Sequence, residues 1–64
     1  MSKTDWLADV RAKLPGSYKR IEDIERDRRL KDADRIYLLE GWPAHDDFER
    51  GRVAATMQKI RERM

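Results

Sequence analysis

The chain has 64 residues and no cysteine, and 44% of its side chains are charged, with 15 basic groups set against 13 acidic ones for a formal net charge of +2. A chain this short hides only about 60% of the surface its unfolded form exposes, so it makes one small domain with too little interior for an enclosed active site. Without cysteine, neither disulfides nor thiolate zinc can brace that domain, which suits a reducing compartment and leaves self-association as a homodimer as the remaining aid; the near balance of charge excludes the one-signed field of a dedicated polyanion binder.

In chain order, Ser2 followed by Asp5 has the spacing of a capping box, and Trp6, Leu7, Val10 and Leu14 recur on one face of a helix expected over residues 3–14. Pro15 biases Leu14 away from helical dihedrals and Gly16 permits a sharp turn, so the chain reverses there. Ser17 is the expected cap of a second helix, in which Tyr18, Ile21 and Ile24 form a narrow apolar stripe before the solvated stretch ERDRRLKD. That helix either stops near Leu30, with Asp32 capping a third over DADRIYLLEGW, or continues through residues 28–32. Ile36, Tyr37, Leu38 and Leu39 are the densest apolar run and the expected centre of the core.

Gly41, Trp42 and Pro43 then interrupt the pattern, since glycine suits a helix C-terminus and proline cannot continue a helix interior. A last helix begins around Ala44 to Asp46. Asp46 with Glu49 repeats the capping spacing, Asp47 adds negative charge at the positive dipole end, and Lys59, Arg61 and Arg63 complement the other end. Phe48, Val53, Met57, Ile60 and Met64 are expected to face inward, and Gly51, at a cost of roughly 1 kcal/mol against alanine, to mark a close helix crossing. The expected fold is all-α, a single domain over residues 1–64 built as a small bundle of three to four short helices. Its expected core is Trp6, Leu7, Val10, Leu14, Ile21, Ile24, Ile36, Leu39, Val53, Met57 and Ile60.

No constellation carries the signature of catalysis, of a cofactor or of a metal. His45 beside Asp46 and Asp47 supplies at most part of a metal shell and reads as a helix N-terminus. Asp5 and Asp9 lie one turn apart, with Lys13 a further turn on, and read as surface charges. Arg26, Arg28, Arg29, Lys31 and Arg35 form the strongest basic concentration, where guanidinium groups can hold phosphates or an acidic protein face. Glu22, Glu25, Asp27, Asp32 and Asp34 are interleaved at spacings that also allow intrahelical pairs and a merely solvated surface. No aromatic residue alternates with these arginines, which argues against stacking on single-stranded bases. Trp42 either folds back onto the core or stands exposed, and if exposed it is the best single anchor for a partner. Val53, Met57, Ile60 and Met64 follow a 4-3-4 spacing that fits intramolecular packing better than an intermolecular seam of two heptads.

Lys3-Thr4-Asp5-Trp6-Leu7, with Val10 and Arg11 following, resembles the opening of the haemolysin-expression-modulating (Hha/YmoA-type) nucleoid-associated family, and Thr56-Met57-Gln58-Lys59-Ile60 is similar to a late segment of it. Between the two segments the chain departs from that family, with a Pro-Gly break and a Gly-Trp-Pro insertion. The resemblance implies a small all-helical modulator that binds a nucleoid-structuring protein through charge complementarity and tunes transcription. Short, charge-dense, cysteine-free helical chains are also common among phage and mobile-element products that inhibit a host machine by occluding a surface.

The resulting expectation is a non-catalytic regulator or inhibitor that docks on a larger protein complex, ahead of direct nucleic-acid contact. The partner face is placed on Arg26, Arg28, Arg29, Lys31, Arg35 and Trp42. MSKTDWLADV lacks the apolar core of a signal peptide, and no apolar run approaches the ~18 residues that span a bilayer, so a cytoplasmic protein without membrane contact is expected.

Overall fold

The computed structural model describes residues 3–64 and is all-α: α1 (Lys3–Ala12), α2 (Ile21–Arg26), α3 (Asp32–Glu40) and α4 (Asp47–Arg63), with no strand among the described residues. Helix α3 is the hub, packed against each of the other three. The Cα atoms fill a plate of 35 × 26 × 15 Å. Since packed helix axes lie about 8–10 Å apart, a thickness of that order holds two helix layers and one sheet of apolar side chains between them.

Helix α1 stops two residues before the expected end. The amides of Lys13 and Leu14 turn back to the carbonyls of Val10 and Arg11, a tightening that closes the last turn ahead of Pro15. The Ser2 cap lies outside the described residues. Ser17 does not cap α2: that helix begins at Ile21, its N-cap is Arg20 in extended conformation, and no side chain caps it. The turn from residue 13 to 20 instead sends Tyr18 inward, where it is buried.

Helices α2 and α3 are separate. Asp27 leaves the helical region at the end of α2, and Leu30 follows through a turn in which its amide donates to the Asp27 carbonyl. Asp32 is the first residue of α3 rather than its cap. Lys31 occupies the cap position, and the Asp34 carboxylate reaches back to accept the Lys31 amide at 3.0 Å. At α4 the expected capping is present, with Asp46 Oδ1 accepting the Glu49 amide at 2.7 Å.

Among the described residues ten apolar ones are buried, and Ile24, Leu38, Leu39 and Ile60, one or two from each of α2, α3 and α4, are fully enclosed. Leu38, Tyr18 and Leu30 join the expected core, while Trp6, Leu14, Ile36 and Met57 pack against it half-buried. Two expected inward residues face water instead, Phe48 at 77% exposure and Met64 at 67%. Phe48 precedes the buried Val53 by five positions, which on a helix is a rotation of about 140°, so the two cannot share a face. Met64 stands at the C-cap, past the last turn of α4. Gly51 marks no helix crossing, because a Cβ added there meets nothing within 4 Å.

Charges stitch the rim of the plate. Along α4, Arg52 pairs with Glu22, Lys59 with Glu25 at 3.8 Å, Arg61 with Glu40 at 3.7 Å and Arg63 with Asp32 at 3.0 Å. The basic residues expected to answer the helix dipole therefore also bridge α4 to α2 and α3. Pairs this exposed are each worth only about 0.2–1 kcal/mol.

Candidate functional site

The basic stretch divides into two groups with different fates. Arg29 and Arg35 turn onto the backbone corner at Asp27. The Asp27 carboxylate accepts Arg29 Nε at 3.1 Å, Arg29 Nη2 at 2.8 Å, the Arg29 amide at 2.9 Å and the Tyr18 hydroxyl at 2.6 Å. Arg35 donates to the Asp27 carbonyl at 3.0 Å and to the Asp32 carboxylate at 2.7 Å, and its buried Nε has no partner among the described residues. The Arg29 guanidinium also lies over the Trp6 ring, 5.4 Å from its centroid.

These contacts set the ionisation of the corner. Hydrogen bonds from Arg29 and then Tyr18 hold the Asp27 carboxyl far below the usual carboxylate range against the opposing effect of its burial, and Tyr18 is pushed up to about 12, by burial first and by the Asp27 carboxylate second. Asp27, Tyr18, Arg29 and Arg35 thus form a hydrogen-bonded lock that joins the end of α2 to the start of α3.

Arg26, Arg28 and Lys31 are exposed, and the first two form no ion pair among the described residues. Trp42 resolves its two alternatives by doing part of each. One side of the ring packs on the core, and the indole Nε1 donates to Glu49 Oε1 at 2.6 Å. Its remaining edges border two surface grooves.

One groove, of about 330 Å³, runs between the end of α3 and the middle of α4 and is mostly apolar, with Pro43, Ala54 and Met57 on its walls. The other, of about 230 Å³, lies between residues 19–22 and the first turns of α4, with Trp42 and the exposed Phe48 among its walls and Lys19, Arg20 and Arg52 among its polar groups. The carboxylates of this second groove are already engaged. Glu22 pairs with Arg52, Asp46 caps the Glu49 amide, and Glu49 holds Trp42. Lys19 and Arg20 are exposed and have no ion pair among the described residues.

The structure therefore joins Trp42 to Lys19 and Arg20, which did not stand out in the sequence, and to Phe48, which was expected to face inward. Arg26 lies one turn beyond Glu22 on α2, outside the residues that line the groove. Arg28, Arg29, Lys31 and Arg35 line neither groove. Comparison with protein-family models, with curated proteins and with solved structures finds no match for the chain.

Proposed function

We propose that the chain is a small non-catalytic regulatory or inhibitory protein that docks on a larger protein complex, either transcription or nucleoid machinery or a host machine targeted by a phage or mobile element. The observation that carries this reading is the aromatic pair at the second groove: Phe48 stands in water at 77% exposure beside a Trp42 ring fixed by its hydrogen bond to Glu49. Large aromatic rings held on a surface, with charged groups around them, are the usual anchors of protein interfaces. The grooves are no larger than the low end of ligand pockets, which suits side chains of a partner better than a substrate.

Direct nucleic-acid contact is the second reading, favoured by the exposed guanidinium groups of Arg26 and Arg28, which have no ion pair among the described residues. Weighing against it, the other two arginines of that stretch are neutralised within the chain, and the net charge is +2. Capture from a lysate of the producing cells, with and without nuclease, separates the two. A protein retained after nuclease treatment is expected, and capture that disappears with nuclease transfers the function to nucleic acid. Fluorescence anisotropy is the matching measurement in solution: affinity for random duplex DNA at physiological salt is expected at or weaker than about 10 μM, and submicromolar binding with a steep salt slope overturns the protein-docking reading.

A further inference from the structure

We infer that the groove between residues 19–22 and the start of α4 takes an acidic segment of a partner protein, which sets one apolar side chain against Trp42 and Phe48 and places its carboxylates on Lys19 and Arg20. This rests on the reading of the chain as a protein-docking module and names what that module grips.

Three observations converge on this occupant. The first is volume: about 230 Å³ is below the range of pockets that enclose whole small molecules and fits a side chain or two entering from a protein surface. The second is the state of the charges. Glu22 is paired with the cationic Arg52, Asp46 and Glu49 accept from neutral N–H donors and keep their charge at the α4 end of the groove, and Lys19 and Arg20 on the other flank have no ion pair among the described residues. An incoming anion therefore meets unsatisfied cations on one flank. The third is preorganisation. Trp42 is fixed by Glu49 and by the core, so an apolar side chain laid against it orders little that is not already ordered.

A nucleic-acid strand fits the same groove poorly. Its phosphates recur without interruption, and one running past Lys19 and Arg20 would be carried across Glu22 of α2 and across Asp46, Asp47 and Glu49 at the start of α4. A peptide confines its carboxylates to the cationic flank and offers a neutral side chain to the aromatic floor.

The test is an NMR titration of the isotope-labelled full chain with a capped acidic peptide carrying one central phenylalanine. Three control probes accompany it: the same peptide with serine for phenylalanine, the same peptide with glutamine for its acids, and a short single-stranded oligonucleotide. Saturable shifts are expected at the amides of residues 19–22 and 46–52 and at the Trp42 indole N–H, with each control weaker by about tenfold or more. Phe48→Ala, and Lys19→Glu combined with Arg20→Glu, are expected to lower peptide affinity by about tenfold each, which corresponds to about 1.4 kcal/mol. Both variants alter exposed side chains, and far-UV circular dichroism establishes that they remain folded.

Absence of saturable shifts up to about 1 mM peptide, unchanged affinity in the folded variants, or tighter binding of the oligonucleotide to the same amides overturns the inference. Lysate capture keeps its failure distinct from that of the docking reading. A nuclease-resistant partner still captured by both variants removes the groove and leaves protein docking standing, while loss of all protein capture from the parent chain removes both.

Discussion

Asp27 shows how much one carboxylate can hold. Its side chain is only 11% exposed and accepts from two residues, and its backbone carbonyl accepts from Arg35. Asp27→Asn keeps the shape but removes the charge that Arg29 and Tyr18 donate to, and a loss of about 1–3 kcal/mol in urea denaturation is expected. The pH dependence has a definite sign. The folded pKa of Asp27 lies below its unfolded value of about 3.9, so its contribution is fully present above that value and is lost as pH falls below it. The melting temperature of the parent should fall steeply between about pH 5 and pH 2, and that of Asp27→Asn less so, with a residual slope from Asp32 and Asp34, whose pKa values are also lowered. Tyr18 acts in the opposite window: raised to about 12, it contributes stability that is present below its ordinary value and lost as pH rises through the folded one. Phenolate absorbance should therefore show a late component near 12 that Tyr18→Phe abolishes. At Gly41, by contrast, a Cβ would fall on the Arg11 side chain, which lies over the Tyr37 ring at 4.6 Å. Gly41→Ala should displace that flexible arginine and cost only about 0.5–1 kcal/mol, the worth of an exposed cation–π contact.

Among the elements, α4 is the most improvable and also the most instructive. Asp46→Ala removes the cap on the Glu49 amide and should cost about 1 kcal/mol, whereas Gly51→Ala, in open space within the same helix, should gain roughly 0.5–1 kcal/mol; paired chemical denaturation curves check both signs. The Asp46 cap was legible in the sequence because capping is local, set by residues three positions apart. The expected Ser17 cap is absent, because the buried Tyr18 beside it makes that segment a turn into the core and delays α2 to Ile21. Leu30 was hidden by its charged neighbours, of which Arg29 turns back onto Asp27 while the leucine drops inward. Phe48 was misread through its apolarity, though its register against Val53 already placed it off the core face. Of the candidate groove only Trp42 was visible, since a proline and a glycine flank it. Lys19 and Arg20 meet it through tertiary packing between segments more than twenty positions apart, a relation that no local spacing records, and Phe48, six positions on, joins it across the turn into α4.

For the molecule as a whole, one layer of side chains sustains the fold, so a cavity there has few neighbours to fill it. Leu38→Ala or Leu39→Ala should cost about 2–5 kcal/mol, most of the roughly 3–5 kcal/mol that a core of this size supplies, while Ile36→Ala, only half-buried, should cost distinctly less. Thermal melts that rank Ile36→Ala with the other two would show that the enclosed positions of α3 do not dominate the core. The place of α3 between its three neighbours also has a consequence in time. Any opening that frees one outer helix leaves α3 clasped by the other two, so the amide hydrogens of Leu38 and Leu39 have no route to solvent short of the whole chain letting go. In deuterated water those amides should be the last to exchange and should report the global unfolding free energy, while the exposed turns of α1 and the start of α4 exchange early through openings of their own.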